Sequence, residues 1–131
     1  EAAILDYTKA LDLDSEYILA QNNRGVVKML LNRYDEAIKD FEAVVQIDRN
    51  YANAYNNIGL ACYRMQNYNE AIINFTKAIA LDDDYAYAYL HRGNTNEMLR
   101  KFDEACSDWK KAFELGVKVA ESYLFNCNQE D

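Results

Sequence analysis

The sequence has no proline and only four glycines among its 131 residues. Both residues usually punctuate turns and strand-rich folds, so their scarcity favours a helical chain. No apolar run approaches the roughly 18 residues that a membrane-spanning helix needs, so the sequence predicts no membrane insertion. The length suits one domain with a core of its own. We therefore expect a single helical domain.

Positive charge and cysteine are also scarce. The chain has 14 Lys and Arg against 22 Asp and Glu, a net charge of −8, which disfavours nucleic acid and anionic membranes as partners. Cys62, Cys106 and Cys127 lack CxxC spacing, so neither a disulfide framework nor a zinc site is predicted. Cys106 and Cys127 could pair if oxidised, but three free thiols are favoured. The compartment is not determined, with a preference for the reducing cytoplasm.

No group of residues has the composition that catalysis requires. His91 is the only histidine, and no Ser/His/Asp arrangement, phosphate-binding glycine loop or His/Cys ligand pair accompanies it. The consecutive acids Asp82 to Asp84 do not form the alternating ligand loop that calcium needs, and they are typical of a solvated turn. The sequence therefore predicts a protein that is not an enzyme and that has no metal or cofactor.

The sequence does contain an internal repeat. Gly25, Gly59 and Gly93 are 34 residues apart. The same step relates small, aromatic and further apolar columns: Ala3, Ala37, Ala71 and Ala105; Tyr7, Phe41, Phe75 and Trp109; Ala10, Val44, Ala78 and Ala112; and the tyrosines Tyr17, Tyr51 and Tyr85. So many matching columns indicate a chain of repeated structural units.

Each unit is predicted to form two helices. In the middle unit, apolar residues at three- and four-residue spacing indicate a first helix from about Ala52 to Met65, and Asn69 is expected to cap a second helix. The inward positions of the second helix are Ala71, Ile72, Phe75, Ala78, Ile79 and Leu81. Gly59 and Ala71 are small enough for the two helices to cross closely, while Phe75 fills the space against the next unit.

This unit resembles the tetratricopeptide repeat, whose characteristic positions are matched by Tyr55, Ile58, Gly59, Tyr68, Ala71, Phe75 and Ala78. The resemblance implies an all-α fold, a right-handed α-solenoid of stacked helix-turn-helix repeats, in one domain over residues 1–131. Its parts are a lone second helix (1–14), three full repeats (18–51, 52–85 and 86–119) and a closing helix (120–131).

The chain departs from the family pattern at the turns between units and at both ends. Ser15, Arg49, Asp83 and Val117 replace the usual proline, so these turns are expected to depend on Asp and Asn, and Gly116 is expected to end a helix in the left-handed conformation. An unpaired helix over residues 1–14 predicts either upstream repeats or a homodimer contact. Asn126, in a column otherwise held by Arg24, Ile58 and Arg92, predicts a solvent-facing closing helix.

The resemblance further implies that the first helices line a concave groove that holds a partner. The expected groove residues are Asn22, Asn23, Val26, Asn53, Asn56, Asn57, Leu60, Tyr63, Arg64, Tyr87, Leu90, His91 and Asn94. Asn23, Asn57 and His91 form a ladder at 34-residue spacing whose side chains can donate and accept hydrogen bonds, which suits the backbone of a peptide. The alternative is that these asparagines are merely solvated.

The groove is poor in positive charge. Some family members hold the acidic tails of heat-shock chaperones with Lys, Arg and Asn, but of those five columns only Asn57 matches, and the others hold Asn22, Val26, Tyr87 and His91. We therefore expect a neutral to basic partner segment. The predicted function is a non-enzymatic module that binds an extended or helical segment of a partner protein. The alternatives are a structural spacer or oligomerisation segment and a regulatory domain of a larger protein.

Overall fold

The computed structural model describes Ile4 and residues 18–127, and this part of the chain is helical without a strand. The helices are α1 Ile18–Leu30, α2 Tyr34–Ile47, α3 Ala52–Arg64, α4 Tyr68–Leu81, α5 Ala86–Met98, α6 Phe102–Glu114 and α7 Ala120–Cys127. Asn69 lies inside α4 and is not the predicted cap, because Asn67 holds the N-cap position. Apart from Ile4, the helix and dimer contact predicted within residues 1–14 lie outside the described residues.

The helices stack in the order of the chain. Each one packs chiefly on the helix before it and the helix after it, while α1 also touches α3, and α3 also touches α5. Contacts that run only between neighbouring units are characteristic of repeat proteins. The fold is therefore the predicted all-α solenoid of helix-turn-helix units, and it places α1, α3 and α5 side by side.

In each helix pair, a glycine of the first helix packs against an aromatic ring of the second helix. A Cβ atom on Gly59 would lie 2.6 Å from Cε1 of Phe75, closer than carbon atoms approach one another. The same distance would separate a Cβ on Gly25 from Cε1 of Phe41, and a Cβ on Gly93 from Cδ1 of Trp109. The glycines are thus the predicted close-crossing points, although the ring of Phe75, rather than Ala71, is the group that Gly59 accommodates.

The alanine and aromatic columns of the second helices form the core. Phe41 and Phe75 have no exposed surface, and the same is true of Ala37, Ala71, Ala78, Ala105 and Ala112. Each buried phenylalanine stabilises the fold by about 1.5–3 kcal/mol relative to an exposed one. Leu81 was predicted to point inward but is 40% exposed, because it is the last residue of α4 and the chain becomes extended at Asp82.

The turn inside each helix pair contains a residue in the left-handed region. These residues recur at the 34-residue spacing, with φ angles of 62° at Asn32, 64° at Gln66 and 60° at Arg100. The N–H of Gln66 donates to the carbonyl of Tyr63, so a carbonyl at the end of α3 finds a partner. Gly116 has a φ of 108° just after α6, which confirms its predicted conformation.

Aspartates hold the connections between helix pairs, as the absence of proline led us to expect. Oδ1 of Asp48 accepts the N–H of Asn50 at 3.0 Å, and Oδ1 of Asp82 accepts the N–H of Asp84 at 3.1 Å. A side chain that bonds to the backbone two residues later stabilises a turn without proline. The acidic run that begins at Asp82 therefore serves a turn.

Buried ion pairs join the helices of the first and third pairs, and the sequence did not reveal them. Asp40 accepts bonds from Nη2 and Nε of Arg24 at 2.6 and 3.0 Å. Asp108 accepts bonds from Nη2 and Nε of Arg92 at 2.8 and 2.9 Å. The equivalent columns of the middle pair hold Ile58 and Asn74. The repeats are therefore alike in shape but differ in the chemistry between their helices.

Cys106 in α6 and Cys127 at the end of α7 form a disulfide, with Cα atoms 5.8 Å apart. The prediction of three free thiols is therefore wrong for this pair, while Cys62 is free and buried, as expected. One repeat earlier, the equivalent positions are Ile72, in a second helix, and Gly93, in the following first helix. A second helix packs on the first helix that follows it, so the two cysteines come together. The preference for a reducing compartment loses its basis.

The closing helix is less polar than Asn126 led us to expect. Asn126 is exposed, but so are Val119 and Phe125, by 52% and 65%. Together with Phe113 and Leu124, these two apolar residues line a shallow cavity of about 880 Å³ at the end of the stack. The closing helix therefore faces solvent, as Asn126 predicted, but apolar residues on α7 and just before it are exposed as well, because no described helix packs over them.

Candidate protein-binding groove

The predicted site residues lie on α1, α3 and α5, and we call the surface that these helices share the groove. Two of its cavities contain most of the predicted site residues. The upper cavity, between α1 and α3, has a volume of about 540 Å³, and the lower cavity, between α3 and α5, has a volume of about 300 Å³. Most of the predicted site residues line one or the other, so the fold brings them together as two adjoining spaces.

The upper cavity is lined by asparagine amides that bond to one another. Asn22 and Asn57 each donate from Nδ2 to Oδ1 of Asn53, at 3.1 and 2.9 Å. Asn53 donates in turn to the hydroxyl of Tyr85 at 3.1 Å, and burial raises the pKa of this phenol, which keeps it protonated. This amide network connects α1, α3 and the start of α5 and holds its side chains in fixed orientations.

The ladder of Asn23, Asn57 and His91 is uneven. Asn57 is buried and uses its Nδ2 group inside the amide network. Asn23 is half-buried and lines the upper cavity beside Val26. All three members line a cavity, but Asn57 is buried and fixes the neighbouring amides, while Asn23 and His91 have no such bond to the network among the described residues.

His91 forms one wall of the lower cavity. Its ring centroid is 5.7 Å from that of Phe75 and 6.1 Å from that of Tyr87. Burial among these groups, with a smaller contribution from the positive charge of Arg64, lowers the pKa of His91 from 6.5 to about 4. The imidazole is therefore neutral at pH 7 and keeps both a donor and an acceptor nitrogen.

The other walls of the lower cavity combine apolar surface with hydrogen-bond donors. They are formed by Leu60, Tyr63, Arg64 and Asn94, all of which were predicted as site residues. Nε1 of Trp109 donates to Oδ1 of Asn94 at 3.0 Å, so this amide is held through its oxygen and its N–H donors can serve a ligand. Arg64 is exposed and supplies the one full charge among the residues that line this cavity.

Three predicted site residues line neither cavity. Leu90 is buried in the core with Trp109 and supports the groove from below. Asn56 is also buried, and its Oδ1 atom has no hydrogen-bond partner in the described part of the chain. Tyr87 is 56% exposed beside His91. Only Tyr87 among these three presents a large surface to a partner.

Some residues of the groove were missed by the sequence reasoning. Leu19, Asn50, Tyr51 and Ala52 also line the upper cavity, and Tyr85 anchors its amide network. The column of Tyr17, Tyr51 and Tyr85 was visible in the sequence as a repeated aromatic position at the start of each first helix. This column could have predicted a groove residue, because a side chain just before one first helix lies next to the first helix of the preceding unit.

The stacked helix pairs and their shared groove define a helical-repeat protein of the class that offers a surface to partners. The family model of the tetratricopeptide repeat matches residues 16–84, and the chain belongs to this family, as the sequence columns predicted. Tetratricopeptide repeats generally mediate protein–protein interactions and are typically not enzymes.

Solved structures share the fold. A crystal structure of MamA is 26% identical, with a TM-score of 0.79 over 86% of this chain and 66% of that chain, so the chain spans about two thirds of MamA. The first TPR of Spaghetti (RPAP3), bound to the HSP90 peptide SRMEEVD, is 27% identical, with a TM-score of 0.81 over 88% of this chain and 94% of that one. No curated protein matches the sequence.

The described residues form neither a membrane-spanning helix nor a cluster of metal ligands. No described helix is both long and apolar enough to cross a membrane. In the same part of the chain, no three His, Cys, Asp or Glu side chains are grouped so that they could hold a metal ion.

Proposed function

We propose that this chain is an interaction module whose groove binds an extended or helical segment of a partner protein. The observation that carries the proposal is the lower cavity, in which two neighbouring helix pairs place an apolar wall and several donors around about 300 Å³. Leu60 and Tyr63 would contact a side chain of the segment, while Asn94 and the neutral His91 would bond to its backbone.

The amide network supports the same proposal. Asn22, Asn53 and Asn57 are held by one another and by Tyr85, so the wall of the upper cavity is ordered before a ligand arrives. A surface that is already ordered loses less side-chain entropy on binding than a flexible one does. The network therefore suits a groove that recognises backbone groups in a fixed register.

The groove lacks the cluster of basic groups that an acidic segment needs, because Arg64 is the one charged residue among the described residues that line either cavity. The peptide SRMEEVD in the RPAP3 structure carries two glutamates and an aspartate. In this chain, Val26 and Tyr87 stand in columns where a chaperone-tail receptor needs basic or amide groups, and His91 adds no positive charge at pH 7. We therefore propose that the partner segment differs from this acidic peptide.

A selection of random peptides displayed on phage against the oxidised chain tests the proposal. Selected peptides should lose about tenfold or more in affinity for Tyr63→Ala and Tyr87→Ala, since buried aromatic contacts dominate such interfaces. Affinities are measured by calorimetry, and melting temperatures show that each variant is folded. Asn57→Ala is a poor test, because Asn57 is buried and its loss disturbs the amide network.

Ile73→Ala is the matched control. Ile73 is 46% exposed on α4, a second helix, and lies outside the groove. Peptides that bind this variant and the wild type equally, but bind the groove variants weakly, support the proposal. Peptides that are affected by Ile73→Ala and not by Tyr63→Ala would favour a spacer or oligomerisation segment that makes its contacts through the outer helices.

A further inference from the structure

A further cavity, of about 200 Å³, lies between α5, α6 and α7. Its walls include the rings of Phe102, Trp109 and Tyr123, the side chain of Glu97 and the Cys106–Cys127 disulfide. We call it the aromatic cavity. None of these residues lines the upper or the lower cavity.

The aromatic walls are held in place from behind. Trp109 is only 5% exposed, and its Nε1 donates to Asn94, which fixes the plane of the indole. The ring centroid of Tyr123 is 5.1 Å from that of Trp109, at an interplanar angle of 43°. Phe102 is 45% exposed at the mouth of the cavity. Aromatic faces carry partial negative charge and attract cations, most strongly in the case of tryptophan.

The charged residue of the aromatic cavity is negative, as are the faces of its aromatic rings. Glu97 is exposed and is the one charged residue among those that line the cavity. The guanidinium of Arg100 lies 5.6 Å from the ring centroid of Phe102 without lining the cavity, so this ring already accepts a cation on one side. A carboxylate beside three aromatic rings favours a positively charged ligand and repels an acidic one.

We propose that the aromatic cavity binds the cationic side chain of an arginine or lysine residue. The cation would lie against Trp109 and Tyr123 and form an ion pair with Glu97. Glu97 follows Asn94 by three residues on α5, so the aromatic cavity continues the line of the lower cavity. That the cation belongs to a segment bound in the groove rests on the proposed function. That the aromatic cavity binds a cation does not.

The disulfide positions one wall of this cavity. Among the described helices α7 packs chiefly on α6, and α7 carries Tyr123. The Cys106–Cys127 bond ties the end of α7 to α6 next to the cavity. Reduction to two thiols should therefore let Tyr123 move away from Trp109 and weaken the binding of the cation.

The test uses the oxidised chain and small ligands. Trp109 is the only tryptophan of the sequence, so its fluorescence reports directly on the cavity. N-acetyl-arginine amide or N-acetyl-lysine amide should change this emission in a saturable way, while the uncharged isostere N-acetyl-citrulline amide should bind about tenfold more weakly or worse. Equal responses to arginine and citrulline, or no saturation with either cation, would overturn the proposal.

Variants connect the signal to the cavity. Glu97→Gln and Tyr123→Leu should each weaken arginine binding by about tenfold, whereas Glu104→Gln, which removes an exposed acid of α6 outside the cavity, should not. Reduced chain should behave like Tyr123→Leu, and melting curves confirm that each sample is folded. Unchanged affinity in Glu97→Gln would refute the role of the carboxylate.

The proposal for the groove and the proposal for the aromatic cavity can be refuted independently. Arginine that binds to the cavity while no selected peptide depends on Tyr63 or Tyr87 would support the cavity and refute the proposed groove. Selected peptides that depend on Tyr63 and Tyr87 while free arginine and lysine produce no saturable signal would support the groove and overturn the cavity. Basic peptides that lose affinity in Glu97→Gln would show that one segment uses both sites.

Discussion

Single glycines set the distance between paired helices. An alanine methyl group at position 59 would lie 2.6 Å from the ring of Phe75, a side chain with no exposed surface. We expect Gly59→Ala to lower the free energy of unfolding by about 1–3 kcal/mol, the usual cost of overpacking a core. Urea denaturation followed by circular dichroism measures this loss.

Gly116→Ala is the control for that experiment. No atom lies within 4 Å of a Cβ at this position, so only the φ of 108° opposes a side chain, at a cost of about 1–2 kcal/mol. The cost of Gly59→Ala should also shrink when it is made in a Phe75→Leu background, because the smaller side chain has no ring to displace. An equal cost in both backgrounds would contradict the steric explanation.

A single histidine predicts a pH dependence of stability. The pKa of His91 is about 4 in the folded chain against 6.5 for an exposed histidine. Between these values the unfolded chain binds a proton that the folded chain does not, so the stabilisation is complete above pH 6.5 and is lost as the pH falls toward 4. Wild type should lose up to about 3 kcal/mol more than His91→Gln between pH 7 and pH 4.

Urea denaturation of both proteins across this pH range measures the difference. The carboxylates that titrate in the same range are common to both chains, so they largely cancel in the comparison. Parallel pH profiles for wild type and His91→Gln would show that the imidazole is not buried as the contacts with Phe75 and Tyr87 indicate.

Among the helices, α7 depends most on one covalent bond. It has eight residues, and in the described part of the chain it packs chiefly on α6. We expect reduction of Cys106–Cys127 to cost about 3 kcal/mol, the value for a closed loop of this length. Amide hydrogen exchange measured by mass spectrometry should become faster in α7 and stay unchanged in α1 to α4, because repeat proteins pass strain only between neighbours.

Counting thiols provides the control. Titration with a thiol reagent in denaturant should find Cys62 alone before reduction, and all three cysteines afterwards. In the double variant Cys106→Ser and Cys127→Ser, a reducing agent should leave hydrogen exchange unchanged. Three reactive thiols without any reductant would show that the disulfide does not form.

Across the whole molecule, features that recur at the 34-residue spacing could be predicted from the sequence. The close approach at Gly25, Gly59 and Gly93 is one example, because three copies of the same contact made the pattern visible. The first-helix residues that line the cavities are another, because one helix face repeats with the unit. Such residues occupy the same place in the backbone of each copy, so the pattern is repeated in the sequence.

Features that occur once, or that skip a repeat, could not be predicted in this way. The amide network joins Asn22 of α1, Asn53 of α3 and Tyr85, the residue before α5. The tyrosine column was visible in the sequence, but the hydrogen bonds among these three groups were not. The disulfide occurs only in the last unit, so no repeated pair of cysteines in the sequence indicated it. The neutral state of His91 depends on rings from two helices that surround it.

The two buried ion pairs have a consequence for how the chain assembles. Units of equal length and shape invite a second helix to dock on the wrong first helix, within one chain or between two, and repeat proteins are prone to this error. A second helix moved by one unit would bury the carboxylate of Asp40 against Ile58, without the guanidinium it has in the native fold. An unpaired buried charge costs several kcal/mol. The alternation of charged and uncharged pairs thus disfavours the docking of a second helix on the first helix of an adjacent unit.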